Sequence, residues 1–129
     1  MVTENQVRKI RKSLESRNTE LREEIRQELL KSDDQRFRDL AGEVHDLEEE
    51  SVADLLVDLD LAILDMHIEE IRDIEAALAR ISAGTYGACV DCGDDIATER
   101  LKAYPTASRC LPCQSRYEGS HANSGTPSL

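Results

Sequence analysis

The sequence predicts a mostly α-helical protein: an antiparallel two-helix coiled-coil hairpin, then a small four-cysteine finger and a short C-terminal helix. Three observations carry this. Apolar residues recur three, four or seven positions apart through two long stretches. Bulky core-forming groups are scarce, with one Phe, three Tyr and no Trp in 129 residues, which suits long amphipathic helices better than a compact α/β domain. All four cysteines fall in two C-x2-C pairs, Cys89–Cys92 and Cys110–Cys113, with 17 residues between them.

The first helix is expected from about Thr3 to Ala41. Its stripe is Val7, Ile10, Leu14, Leu21, Ile25, Leu29, Phe37 and Leu40, and no Pro interrupts it. At Ser32-Asp33-Asp34 short polar side chains compete for the backbone and permit a local irregularity. Gly42 is the expected end. A second helix follows from about Glu48 to Ser82, with Val52, Leu55, Leu59, Ile63, Met66, Ile71, Ile74, Leu78 and Ile81 on its stripe. At 1.5 Å per residue each arm would be on the order of 50 Å long. Neither stripe can bury itself, and a short connection favours antiparallel neighbours. Residues 1–83 are therefore expected to form a hairpin that turns near Gly42–Glu49, in a monomer. The same stripes could serve as the core of a dimer instead.

Ala83-Gly84-Thr85-Tyr86-Gly87 ends the second arm and leads into the finger, expected over residues 84–118. Two C-x2-C knuckles at this separation signal one tetrahedral, structural zinc ion held by Cys89, Cys92, Cys110 and Cys113. Gly93 directly after Cys92 suits a tight knuckle with positive φ. Pro112, ahead of Cys113, suits the opening of a short helix through Tyr117. Gly119 to Leu129 is rich in Ser, Gly, Asn and Pro and reads as a disordered tail. A redox dithiol would call for a βαβ context, and a catalytic zinc would keep an open position. No nucleophile–base constellation or phosphate loop can be assembled, so an enzyme is not expected.

Charge narrows the function further. The net charge is −11, which disfavours free nucleic acid as a partner and with it sequence-specific DNA binding. Met1 to Arg38 carries ten Lys or Arg, whereas Asp39 to Ile71 carries none and has twelve Asp or Glu. The acids Glu43, Asp46, Glu48, Glu49, Glu50 and Asp54 gather where the hairpin should bend, and Glu48–Glu50 also favour the positive start of the second helix. No stretch is apolar enough to span a membrane or to act as a signal peptide. A cytoplasmic setting is expected, and its reducing conditions favour zinc thiolate over disulfide.

From Tyr86 the chain follows the pattern YGxCxxCGxxIxxxRLxAxPxAxxCxxCQ, through Ile96, Arg100-Leu101, Ala103, Pro105 and Ala107 to Gln114. This resembles the zinc finger of the DksA/TraR family of bacterial transcription regulators, and the helical hairpin ahead of it matches as well. The resemblance implies direct binding to bacterial RNA polymerase. The hairpin would enter the secondary channel and bring acidic tip residues near the active site to modulate initiation. The tip of longer members reads D-x-x-D-x-A. Ungapped counting from the finger places Asp46, Glu49 and Ser51 there, with Glu50 beside them. The first carboxylate is kept, the second is one methylene longer, and serine replaces alanine. Longer members answer to ppGpp partly through basic residues of the coiled coil, where the second arm here offers Arg72 and Arg80. The short N-terminal portion looks more like the family's shorter branch. The competing readings are a zinc-ribbon DNA-binding protein and a thiol-redox-sensing adaptor.

Overall fold

The computed structural model describes residues 2–31, 33–46 and 62–122, with the side chains of 62–65 and 121–122 left aside. Five helices lie among them: α1 (Glu4–Leu30), α2 (Gln35–Ala41), α3 (Ala62–Ala83), α4 (Thr98–Ala103) and α5 (Leu111–Ala122). The only β-type pairing among the described residues is an isolated bridge between Ala88 and Asp95.

A reciprocal cap starts α1. Thr3 Oγ1 accepts from the Gln6 N–H at 3.2 Å, and Gln6 Oε1 accepts from the Thr3 N–H at 2.8 Å. The predicted stripe then buries Leu14, Leu21, Ile25 and Leu29 against Ile68, Ile71, Ile74 and Ala77 of α3. Polar pairs along the seam fix the antiparallel register. Arg17 grips Glu70 through two nitrogens, at 2.7 and 3.1 Å, and holds that carboxyl below its usual range. His67 Nε2 lies 3.3 Å from Glu24, and Asn18 donates to Glu75. The two-arm hairpin expected from the stripes is α1 packed on α3.

The first arm is shorter than the expected Thr3–Ala41 helix. It closes at Leu30, with Lys31 as C-cap, and Asp34 opens α2 by accepting from the Arg36 N–H at 2.9 Å. Asp33 and Asp34 lie outside both helices, because an aspartate side chain caps a new helix better than it continues an old one. Beyond the break α2 runs back along α1. Phe37, Leu40, Ala41 and Val44 share one helical face and join the α1–α3 core, with Ala41 1% and Val44 1% exposed. Buried Arg22 donates to the Val44 carbonyl at 2.7 Å and to Asn18 Oδ1 at 2.9 Å. His45 Nε2 lies 3.1 Å from Glu23. Glu23 also accepts from Arg26 and Gln27, and these partners, Arg26 foremost, hold its carboxyl down to about 2. The bend therefore differs from the expected turn at Gly42–Glu49 as the far end of two unbroken arms. Gly42 does end a helix, but the helix is α2, and Gly42–Asp46 lies beside Arg22 and Glu23. The expected start of the second arm, 48–61, lies outside the described residues.

The finger seats on the base of the hairpin. Ile96, Leu101 and Ala107 form a small core with buried Cys89 and Cys113. Tyr86 packs against this core and against the hairpin core, and its hydroxyl donates to the Pro105 carbonyl at 2.8 Å. Arg80 of α3 reaches the Thr106 carbonyl at 3.3 Å. The final helix extends past the expected Tyr117 to Ala122, so Gly119–Ala122, read from composition as tail, is helical. Once α5 is nucleated each added residue costs little, and Gln114 bonded to Glu118 at 2.8 Å supports the next turn.

Candidate metal centre

Two backbone turns aim the four sulfurs. In the first, the Cys89 N–H donates to the Asp94 carbonyl at 2.8 Å and the Gly93 N–H donates to the Cys89 carbonyl at 3.0 Å. Gly93 adopts φ +79°, the conformation its place after Cys92 called for. Gly87, also at positive φ (+92°), lies so close to Val2 that a Cβ there would stand 3.2 Å from its Cγ1. The second knuckle is the first turn of α5. There the Gln114 N–H donates to the Cys110 carbonyl at 2.8 Å, and Pro112 occupies a position whose N–H has no helical partner to lose. The Val90 N–H donates to the Ser108 carbonyl at 2.9 Å and joins the two knuckles.

The ligand atoms of Cys89, Cys92, Cys110 and Cys113 all lie within 4.8 Å of one another. Cys92 and Cys110 Sγ are 3.8 Å apart, far beyond a disulfide bond of about 2.05 Å. That separation equals the edge of a tetrahedron with zinc–sulfur distances of about 2.3 Å. The donor set therefore fits a closed four-thiolate site. Its electrostatics need a cation. Burial alone would raise the Cys89 thiol, yet the N–H groups of Cys92, Cys110 and Asp91 hold it down to about 6. Cys92 accepts from the Asp94 N–H, which favours thiolate, but partial burial and three neighbouring sulfurs push it up to about 12. Four sulfurs this close cannot all ionise unless a divalent ion sits among them.

One neighbour escaped the sequence reading. Arg116 Nη2 lies 3.0 Å from Cys113 Sγ, and each raises the other's preference for its charged form. The signal was present, since Cys113 and Arg116 are three apart on a helix and so share a face. The other cations of the finger go elsewhere. Arg100 donates to the Arg109 carbonyl at 3.0 Å, Lys102 pairs with Glu99, and Arg109 donates to Asp91 at 2.7 Å while lying 3.9 Å above the Tyr117 ring. Partners of metal ligands typically change affinity about 10–100-fold when removed. Arg116→Ala is accordingly expected to keep one zinc per chain but release it to a chelator at least about tenfold faster, read by a colorimetric zinc indicator.

Of the acidic positions, Asp46 ends the turn after α2, with its N–H on the Glu43 carbonyl at 2.9 Å. Glu49, Glu50 and Ser51 lie outside the described residues. On α3, Arg80 is engaged with Thr106, and Arg72 is exposed.

Residues 84–119 match the family of the prokaryotic dksA/traR C4-type zinc finger. The RNA polymerase-binding transcription factor DksA of Caulobacter vibrioides is 38% identical over 60 residues, 46% of this chain and 42% of that protein. The chain thus spans less than half the length of that relative. The Escherichia coli (strain K12) protein of the same name is 27% identical over 117 residues, covering 91% of this chain and 74% of that protein. The solved structure of transcription factor DksA2 from Pseudomonas aeruginosa superposes with a TM-score of 0.61 at 23% identity, over 92% of this chain and 88% of that one, and so shares the fold. The four-sulfur cluster and the finger match together mean one structural zinc ion. The finger at residues 84–119 is thus of the DksA/TraR type, carried on a hairpin that shares the fold of that solved structure.

Proposed function

We infer that the protein is a non-catalytic transcription regulator that binds bacterial RNA polymerase, with Cys89, Cys92, Cys110 and Cys113 as its zinc ligands. The observation that carries this reading is the four-cysteine finger, matched over residues 84–119 and seated on a helical hairpin. The relatives named as RNA polymerase-binding factors support it. In the finer reading, the hairpin enters the secondary channel and Asp46, Glu49, Glu50 and Ser51 approach the active site, where their charge alters the lifetime of open promoter complexes.

The α1–α3 register bears on how Asp46 would lead. The pairs Arg17–Glu70, Glu24–His67 and Asn18–Glu75 are centred between residues 43 and 47, so the arms, continued in the same register, would meet in a stretch that includes Asp46. Here α2 instead lies along α1, held by Arg22 and Glu23. Presentation of Asp46 at the leading end requires α2 to leave α1 about the break at Lys31–Asp34, exchanging these contacts for polymerase contacts. Control by ppGpp is not part of this reading, because α3 offers a phosphate only Arg72 once Arg80 is engaged.

Co-elution with the polymerase, followed by promoter-by-promoter transcription in vitro, tests the proposal. Wild type is expected to co-elute and to change open-complex lifetime. Asp46→Ala should bind within about twofold and lose the effect on lifetime, since a surface carboxylate contributes little to docking on its own. Failure of the wild type to bind would sink the function. A fully active Asp46→Ala would sink only the role of the tip.

A further inference from the structure

At the base of the hairpin, α1 and the end of α3 leave a groove of about 430 Å³ whose floor is Val2, Val7, Ile81 and Tyr86. Arg8 and Arg11 line it, with one carboxylate, Glu4. Both arginines belong to the run Arg8-Lys9-Ile10-Arg11-Lys12, four cations within five residues of a chain whose net charge is −11. Among the described residues none of the four makes a hydrogen bond or ion pair. Further along the same arm Arg17 and Arg26 of α1 and its C-cap Lys31 each hold a glutamate. A chain this rich in carboxylates thus shows, among the described residues, no side-chain partner for its densest basic patch, beside an apolar cleft.

We propose that this groove is a docking surface for an acidic segment of RNA polymerase that carries an apolar anchor. The proposal rests on the polymerase-binding reading and names a contact separate from the acidic bend. The fit follows from the two halves of the site. Guanidinium groups take carboxylates in a two-point grip, and the Val7–Ile81 floor takes an aliphatic or aromatic side chain. A nucleic-acid backbone would satisfy the charges but leave the floor unused, which favours a protein partner.

The test measures the affinity of nucleic-acid-free polymerase for four proteins: wild type, R8E/R11E, R8K/R11K and V7Q. Each is run at low and high salt after confirming one zinc per chain and wild-type helicity. R8E/R11E is expected to bind at least about tenfold more weakly at low salt and to show a flatter salt dependence. R8K/R11K keeps the charge but loses the two-point grip, so it should bind more weakly than wild type yet more tightly than R8E/R11E, with the salt dependence of wild type, and V7Q should lose affinity by a similar factor at both salts. Unchanged affinity and salt dependence in R8E/R11E would overturn the proposal. So would a loss that appears only after promoter DNA is added, which would make the partner nucleic acid. The wild-type arm read alone decides the polymerase-binding reading, so the two failures are distinguishable.

Discussion

Stripping zinc from the protein, or replacing one ligand as in Cys113→Ser, unfolds residues 84–119 and leaves the α1–α3 pair helical. The finger's own core is small, consisting of Ile96, Leu101 and Ala107 around Cys89 and Cys113. Burial of so few side chains, at about 1.5–3 kcal/mol each, cannot offset the ordering of a segment this long. Structural zinc in peptides of this kind binds with apparent energies of roughly 10–16 kcal/mol near neutral pH, and that is the missing term. Amide spectra should show the finger resonances collapse on addition of a strong chelator and return with stoichiometric zinc. Helical signal should fall by no more than the share due to α4 and α5. A finger that kept its dispersed resonances without metal would mean that the apolar cluster folds it unaided.

The second large effect belongs to the hairpin. Ile71 has no exposed surface and lies at the centre of the core shared by α1, α2 and α3. Ile71→Ala should cost about 2–5 kcal/mol, the range for emptying a fully packed aliphatic site. Alanine is the better helix former, so the loss cannot come from backbone propensity. Against the usual total of about 5–15 kcal/mol for a domain, this is a large fraction, and the urea midpoint should fall sharply while zinc stoichiometry stays at one. A loss under about 1 kcal/mol would mean that the two arms do not share this core.

How much of this was legible in the sequence depends on what each feature needed. The zinc site needed only spacing and residue type, and Cys89, Cys92, Cys110 and Cys113 converge as those implied. Helical periodicity named most of the seam, since Leu14, Leu21, Ile25, Ile71 and Ile74 are all buried, but Met66 of the expected stripe is 74% exposed and Ile68 takes the buried place instead. It could not choose between a straight arm and a folded one. Phe37, Leu40 and Val44 continue the α1 stripe in phase, so the pattern is satisfied equally by one long helix or by a short helix doubled back. The choice fell to Asp34, whose capping bond is a local event that hydrophobic periodicity does not register. The Arg22–Val44 and His45–Glu23 contacts follow from that choice and were hidden with it. The Arg116–Cys113 contact depends on α5 continuing through Arg116, since only a helical turn sets residues three apart on one face.

Tyr86 touches both apolar clusters, and its hydroxyl and Arg80 tie down the Pro105–Thr106 stretch from the hairpin side. A metal lost at one end is therefore felt as slackness in the joint, and the long lever above it swings without a fixed aim. In a cell this would make zinc supply a throttle on the protein's reach, with no need for a dedicated sensor.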